Sequence, residues 1–510
     1  MNEEVKSRYR VKKKKKTQDV NHHLLNHAAT IKNSQMNQMH KRKRDLLKRI
    51  NYTHTFTVLV MPVVAIVYLS RYAVSVIPQN IATLWFSVAY FNLTMLAFTC
   101  GYHKFFTHNA FITNSRVLQY YFAIFGTSMG LGSIKWWGSL HRAHHQFTDD
   151  TNKDPYSIKR GFYYSHLGWI IKRPKIESFY NSFIDHEFVK GAIDNDIFDV
   201  DVIDMEFDEL DTQRKQYNER IKRLILWQHE VYFLLFITTT IIIPAVITRF
   251  YCNDSVLNGI IYPGILRMFL CQQCLLSTES ICHFGEIKVS LPTQPFNDNN
   301  SAINCNNPLI SILTYGQAKQ NFHHEFPHDY RNDSSKFSFD PTKWFLFTLS
   351  MLGAIDNLSV TPSDLITQLR IQQRQKVLNK VKSQLNWGTP ISKLPLITPQ
   401  EFKRFIATSA HEDRIYIVIS NVIHDITPFM EQHPGGLPLL KASHGKDATK
   451  AFFGGVYSHS TAAQNLLATM RIGYLDNGDE EEVWNKIVKE EGEVQDKSHR
   501  QEAYKSAEAA

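Results

Sequence analysis

Four long apolar runs interrupt an otherwise polar chain. The first covers residues 56–76 and is broken only by Arg71 near its end. Pro78 separates it from a second run at 81–100. A long polar stretch follows, and then a second pair at 231–247 and 259–277, split by "TRFYCND". Each run is close to the length a helix needs to cross about 30 Å of hydrocarbon. The short connections within each pair predict two helical hairpins. Four such runs, paired in this way, favour membrane spans over the buried helices of a soluble enzyme.

Composition changes this picture in only a few places. The mean hydropathy of −0.28 averages over very different regions. The net charge is +9 over 510 residues, and much of it lies in residues 1–50, with a lysine run at 12–16 and "KRKR" at 41–44. Such a tail reads as solvated and disordered. An apolar run follows it directly, so it reads as the cytosolic flank of a span, and no nucleic-acid partner is expected. No cleavable leader is expected either, because the start stays polar for too long. Lys and Arg are scarce at 77–80 and 248–258, which also places the N-terminus in the cytosol. Four crossings return the C-terminus to the same side. The six Cys form no disulfide framework. Cys271 and Cys274 stand as C-x-x-C inside an apolar helix, where packing is the plain reading. The acidic segment at 194–211 reads as a solvated loop.

Candidate chemistry lies in the histidines. "HKFFTH" carries His103 and His108, and "HRAHH" carries His141, His144 and His145. The second set has helical spacing i, i+3, i+4 and shares one face. His283 stands in "ESICHFG", and His323 and His324 in "NFHHEFP". An isolated histidine is ordinarily a packing or surface residue. Eight of them, all next to the same predicted membrane face, point to a metal site, and neutral imidazole suits iron.

The segments "GYHKFFTH", "HRAHHQFTDDTNKDPYSIKRGFYYSHLGW" and "NFHHEFPHDYRN" resemble the membrane acyl-CoA desaturases, the stearoyl-CoA delta-9 family, in their fungal form. The resemblance covers about 51–375. It implies a mainly α fold, with four spans beneath a cytosolic cap that holds two irons through the eight histidines. It implies O2-dependent removal of two hydrogens from a saturated fatty acyl-CoA. An endoplasmic-reticulum membrane location and NADH–cytochrome b5 reductase as electron source come with it. The sequence departs from the family at one site. The third family box begins with His where this chain has Gln320. An Asn four residues before His283 in the family is Glu279 here, and "GEG" has become "GQA". Glu279 and Gln320 are therefore possible altered ligands. An amide oxygen is a weak donor to ferrous iron, whereas a carboxylate is a good one. Two rival readings stay open: a related lipid hydroxylase or oxidase, and a non-catalytic regulatory or electron-carrying membrane protein.

Substrate residues are less sharply marked. Phe91, Met95 and Thr99 follow each other at i, i+4 below His103. In the family, side chains in this span limit tunnel length, and Phe91 and Met95 are candidates for that role, although plain packing also explains them. Lys159 and Arg160 in "SIKRGF" match basic positions at the family's tunnel mouth, where CoA phosphates would need cations. A solvated loop pair is the alternative.

After a polar linker at 376–395, partly helical in pattern, the texture changes. "IHDITPFMEQHPGGLPLL", "GKDAT" and "GGVYSHS" resemble cytochrome b5 over 396–476. This implies a small α+β haem domain with His433 and His459 as axial ligands to haem b. His424 is not assigned. A tail at 477–510 reads as disordered.

Overall fold

The computed structural model describes residues 48, 50–72, 74–172, 183–184, 207–409, 413–455 and 458–476. The basic tail before residue 48, the acidic segment up to 206 and the tail after 476 lie outside the described residues. The chain divides into two compact units, Met1–Gln375 and Lys376–Ala510.

Among the described residues of the first unit, four helices are long and apolar enough to cross a membrane: Tyr52–Arg71, Ile81–Thr107, Tyr232–Phe250 and Val256–His283. Their centres coincide with the four apolar runs, but their ends do not. The second helix continues past Cys100 to Thr107, and the fourth continues past Ser277 to His283. These two helices have 27 and 28 residues, against 20 and 19 for the other two. An α-helix of the longer kind reaches roughly 40 Å, more than the apolar layer of about 30 Å. Their last turns, which carry His103 and His283, run on past the apolar stretches into buried polar residues.

The outer faces of the bundle are apolar and uncovered. Val63, Val64 and Val67 on the first helix, and Leu234, Ile237 and Val246 on the third, are exposed. Contiguous apolar surface of this kind is what a bilayer covers. The chain is a multi-pass membrane protein. The inner faces are stitched by polar contacts. Arg267, buried in the fourth helix, donates from Nη1 to Thr94 Oγ1 at 3.1 Å and to the Ser128 carbonyl at 2.9 Å. Its Nε donates to the Pro263 carbonyl at 2.9 Å, and its guanidinium lies 4.8 Å over the Tyr90 ring. A charge within a span normally faces the bundle and finds such partners. Near the opposite ends of these helices, Thr83 Oγ1 donates to Asp254 at 2.7 Å. Cys271 is buried among apolar side chains and Cys274 packs at the edge of the same core.

Two helices, Arg116–Phe125 and Ile134–Phe147, follow the second span and cover its end. Ser115 and Ser133 cap them, their hydroxyls accepting from the Leu118 and Trp136 amides. The contact with the span is tight. A Cβ on Gly101 would lie 2.4 Å from Phe122 Cβ. Glycine thus lets the covering helix seat directly against the turn that carries His103.

The second unit is α+β. Its sheet has the order Leu396–Ile397, Arg471–Leu475, Val422–Asp425, Tyr416–Ile419. Strand alternation sends Tyr416 and Val418 to one apolar cluster and Ile417 and Ile419 to another. Both faces are buried, which explains the unbroken apolar run "YIVI". The helical pattern noted before this unit is realised in Ser363–Gln384.

Gly101→Ala should cost about 1–3 kcal/mol through overpacking against Phe122. The thermal midpoint of detergent-solubilised protein checks this. An unchanged midpoint would show that the covering helix shifts freely.

Candidate metal centre

The first two histidines owe their pairing to an unusual winding. Residues Ala97–Thr107 form a π-helix, and His108 N donates to the His103 carbonyl at 3.2 Å, an i→i+5 bond. In an α-helix a five-residue spacing would point the two rings apart. Here their centroids are 4.9 Å apart. Wide turns of this sort are often found at functional sites. The helix Ile134–Phe147 presents His141, His144 and His145 as its spacing predicts. The short helix Gln320–Glu325 presents His323 and His324, and His283 ends the fourth span.

These elements bring the eight histidines into two adjoining groups. His103, His108, His141 and His323 offer ring nitrogens within 4.8 Å of one another, and so do His144, His283 and His324. His145 sits at the first group, its Nε2 lying 3.2 Å from His141 Nε2 and 3.0 Å from His323 Nε2. His103 Nε2 is 2.9 Å from His323 Nε2. Nitrogens bound to one ion through bonds of about 2 Å fall at separations of this order.

Charge supports the same reading. Burial, and then the fields of neighbouring rings, hold His108, His141, His145, His323 and His324 well below the usual histidine range, with Lys104 adding to this at His108 and His323. They are neutral at pH 7, the form that binds metal. Four of the eight, His108, His144, His283 and His324, also carry a buried Nε2 with no hydrogen-bond partner. Such atoms are costly to bury unless something satisfies them. A metal ion fits this donor set.

His144 differs. Burial opposes its charge, but Asp154, Glu279 and Asp149 outweigh burial and hold its pKa at about 9. Asp154 Oδ1 lies 2.9 Å from its Nδ1, and that carboxylate is itself fixed by the Asp149 and Tyr156 amides. The bond leaves His144 Nε2 as the ligating atom. His283 has a similar support at one remove. Its Nδ1 is 3.0 Å from Ser301 Oγ, which donates to Asp149 Oδ1 at 2.5 Å. Carboxylates behind metal-binding imidazoles fix the tautomer and raise ligand basicity. The sequence reading missed Asp149, Asp154 and Ser301. They lie in loops, so periodicity gives them no signal.

The two altered positions lie at the same site. Glu279 is buried, with Oε2 3.5 Å from His144 Nε2 and Oε1 3.7 Å from His141 Nδ1. Gln320 is buried and donates from Nε2 to the Gln317 carbonyl at 2.9 Å. Of the substrate candidates, Met95 and Thr99 are fully buried, and Phe91 packs against Tyr315 with centroids 5.9 Å apart. Lys159 reaches outward with its amine 3.8 Å from Asp149, and Arg160 lies 3.6 Å over the Tyr164 ring.

In the second unit the His433 and His459 rings face each other, with centroids 6.2 Å apart and planes 27° from parallel. Two metal–nitrogen bonds of about 2 Å plus the ring half-widths require a separation of this size. His459 Nδ1 lies 2.9 Å from the Phe452 carbonyl, which leaves Nε2 to ligate. Haem fits this pair. His424 is buried in the strand Val422–Asp425 and lies outside it.

Four membrane helices under two adjoining histidine groups, joined in one chain to a paired-imidazole unit, define a multi-pass membrane redox enzyme. Residues 79–334 match the fatty acid desaturase family, and residues 398–476 match the cytochrome b5-like heme/steroid binding domain. The chain belongs to the fatty acid desaturase family and carries a C-terminal cytochrome b5-like domain. It is 36% identical to acyl-CoA desaturase 1 of Saccharomyces cerevisiae over 78% of this chain and 69% of that protein. It is 33% identical to a probable acyl-CoA desaturase of Schizosaccharomyces pombe, over 86% and 80%. Identity to human stearoyl-CoA desaturase is 24%, over 59% and 73%.

Asp154→Ala should weaken metal binding at the His144 group by about 10- to 100-fold and leave the four-histidine group unchanged. Titrating metal-depleted protein with cobaltous ion, followed by visible absorption, resolves the two. Equal loss at both groups would mean that Asp154 only supports the fold.

Proposed function

We propose that this enzyme introduces a double bond into a saturated fatty acyl-CoA of the stearoyl or palmitoyl type, at the delta-9 position, using O2. The observation that carries the proposal is the pair of buried histidine groups at the protruding ends of the second and fourth spans, in a chain that also holds its own haem pair. The proposed ligands of two irons are His103, His108, His141, His144, His145, His283, His323 and His324. When bound, the irons would activate O2, which takes two hydrogens from the unactivated chain and two electrons from the haem unit and leaves as two waters.

The protein's own residues do the remaining work. The histidines fix the oxidising centre at the top of the bundle. Asp154, and Asp149 through Ser301, hold the rings of His144 and His283 in the ligating tautomer. The apolar second span, with Phe91 and Met95, lies along the path proposed for the acyl chain and keeps water from it. Lys159 and Arg160 are placed to hold the CoA phosphates. His433 and His459 would hold a haem, which would supply one-electron transfer, and NADH–cytochrome b5 reductase is the proposed electron source. Tethering replaces a bimolecular encounter by an effective concentration of order millimolar. We assign residues 51–375 to the desaturase domain, 376–395 to the linker and 396–476 to the haem domain. The enzyme is placed in the endoplasmic-reticulum membrane with both termini in the cytosol, the side that carries its electron supply.

The Glu279 carboxylate beside the His144 group favours one second reading, hydroxylation of the same chain. Expression in cells lacking their own acyl-CoA desaturase separates the two. The proposal expects 16- and 18-carbon monounsaturated acyl chains, roughly speaking the ordinary products of this reaction class, detected by mass spectrometry. Hydroxylated chains would support the second reading, and no oxidised chain would overturn both.

His433→Ala or His459→Ala in the full chain should abolish the six-coordinate haem spectrum and the NADH-dependent reduction that follows from it. His424→Ala should keep both. A variant of either proposed ligand that retained the wild-type spectrum would show a misassigned axial residue.

A further inference from the structure

The two histidine groups are unequal. The group around His103 holds four imidazoles within ligating distance of one another and has His145 beside it as a fifth. The group around His144 holds only three, His144, His283 and His324. Each of these three has its Nε2 buried and without a hydrogen-bond partner. The next donor at this group is not an imidazole. Glu279 Oε2 lies 3.5 Å from His144 Nε2, is buried, and also has no hydrogen-bond partner; its carboxylate is not within 4.8 Å of all three ring nitrogens, so ligation requires the side chain to turn toward His283 and His324. Two donors on one ion, each about 2 Å from it, lie at such a separation when they are neighbours in its coordination sphere.

We propose that Glu279 is a direct ligand, completing a three-histidine, one-carboxylate metal position with His144, His283 and His324. The inference rests on the metal-site reading above.

Three further observations agree with it. First, the Glu279 backbone is fixed where the side chain must leave it, since Ser165 Oγ donates to its carbonyl at 2.6 Å. Second, charge favours it. A dication in a buried site is costly unless anions stand close to it. Asp154 and Asp149 lie behind the rings of His144 and His283, and Glu279 would add an anion in direct contact, an oxygen donor of a kind that suits non-haem iron. Third, Gln320 does not present a competing donor of equal quality. Its amide nitrogen is committed to the Gln317 carbonyl, and an amide oxygen is neutral. The carboxylate also has a second role. Its Oε1 faces His141 Nδ1 at 3.7 Å, with that nitrogen otherwise unpartnered. Glu279 thus stands between the two positions, beside a ring of each.

The test is iron content and Mössbauer spectroscopy of the full-length protein, purified in detergent and loaded with 57Fe. Wild type should hold about two irons per chain in two distinct environments. Glu279→Gln keeps size and shape but removes the anionic donor. It should fall to about one iron per chain, with one spectral component lost and the other shifted slightly through His141. Glu279→Asp should retain part of the lost component. Gln320→His added to Glu279→Gln should return the second iron, because position 320 shares a helix face with His323 and His324. That recovery also shows that the single variant is folded. Two irons and an unchanged spectrum in Glu279→Gln would overturn the proposal while leaving the di-iron reading intact. A wild type without iron would overturn both.

Discussion

Everything in the membrane unit answers to one cost, that of holding neutral imidazoles side by side away from water. Each ring brings two polar nitrogens, and a buried nitrogen without a partner costs about 1–3 kcal/mol. A metal ion can take one nitrogen of each ring. The scaffold must satisfy the other, and must keep rings that gain nothing from one another in place. The segment after His324 meets this need by clasping the end of the second span. Lys104, wholly buried, donates to the Asp329 carbonyl at 2.8 Å and the Arg331 carbonyl at 3.2 Å. His328 Nδ1 lies 2.5 Å from the His108 carbonyl. Arg331 in turn grips Asp329 with two contacts, at 2.9 and 2.7 Å. The third histidine segment is thus bound to the first through backbone carbonyls, which do not compete for the ring nitrogens.

The same cost explains where hydropathy stopped short. The apolar runs located the four spans because lipid contact selects apolar side chains over whole turns. They ended the second and fourth helices too early because the selecting environment changes there. Past Cys100 and Ser277 the helices leave lipid, and their residues become polar while staying buried: His103 and Lys104 in one, Glu279 and His283 in the other. A hydropathy scale reads such residues as solvent-facing. Helical continuation was nonetheless written in the spacing of the ligands. His103 and His108 can serve one site from one helix only if the winding widens, and this is the π-helical stretch observed.

Residue type carried the candidate ligands, and separation along the chain hid their supports. His141, His144 and His145 announce themselves at i, i+3, i+4. Asp154 stands ten residues from His144, with a turn between, and Ser301 meets Asp149 across 152 positions. No period links such pairs, and Asp and Ser in a loop are ordinary. The haem unit was more legible. Its "YIVI" strand alternates between two apolar clusters and Ile423 of "VIHD" joins one of them, and the His433 and His459 rings are carried by short loops.

The donor count at each site divides the labour between them. Where two imidazoles face each other across 6.2 Å, an iron in a planar macrocycle has both remaining positions filled. Such an iron can change charge but cannot admit oxygen, so it carries electrons. Groups of four or five protein donors still leave a coordination position open on a six-coordinate metal, and open positions are what oxygen chemistry needs. Both kinds of site are built here from histidine, so residue type alone does not decide the chemistry. The decision lies in how many rings converge and from which directions. One pair of loops opposes two rings face to face. Two extended spans, a covering helix and one short helix gather eight from one side of a membrane bundle.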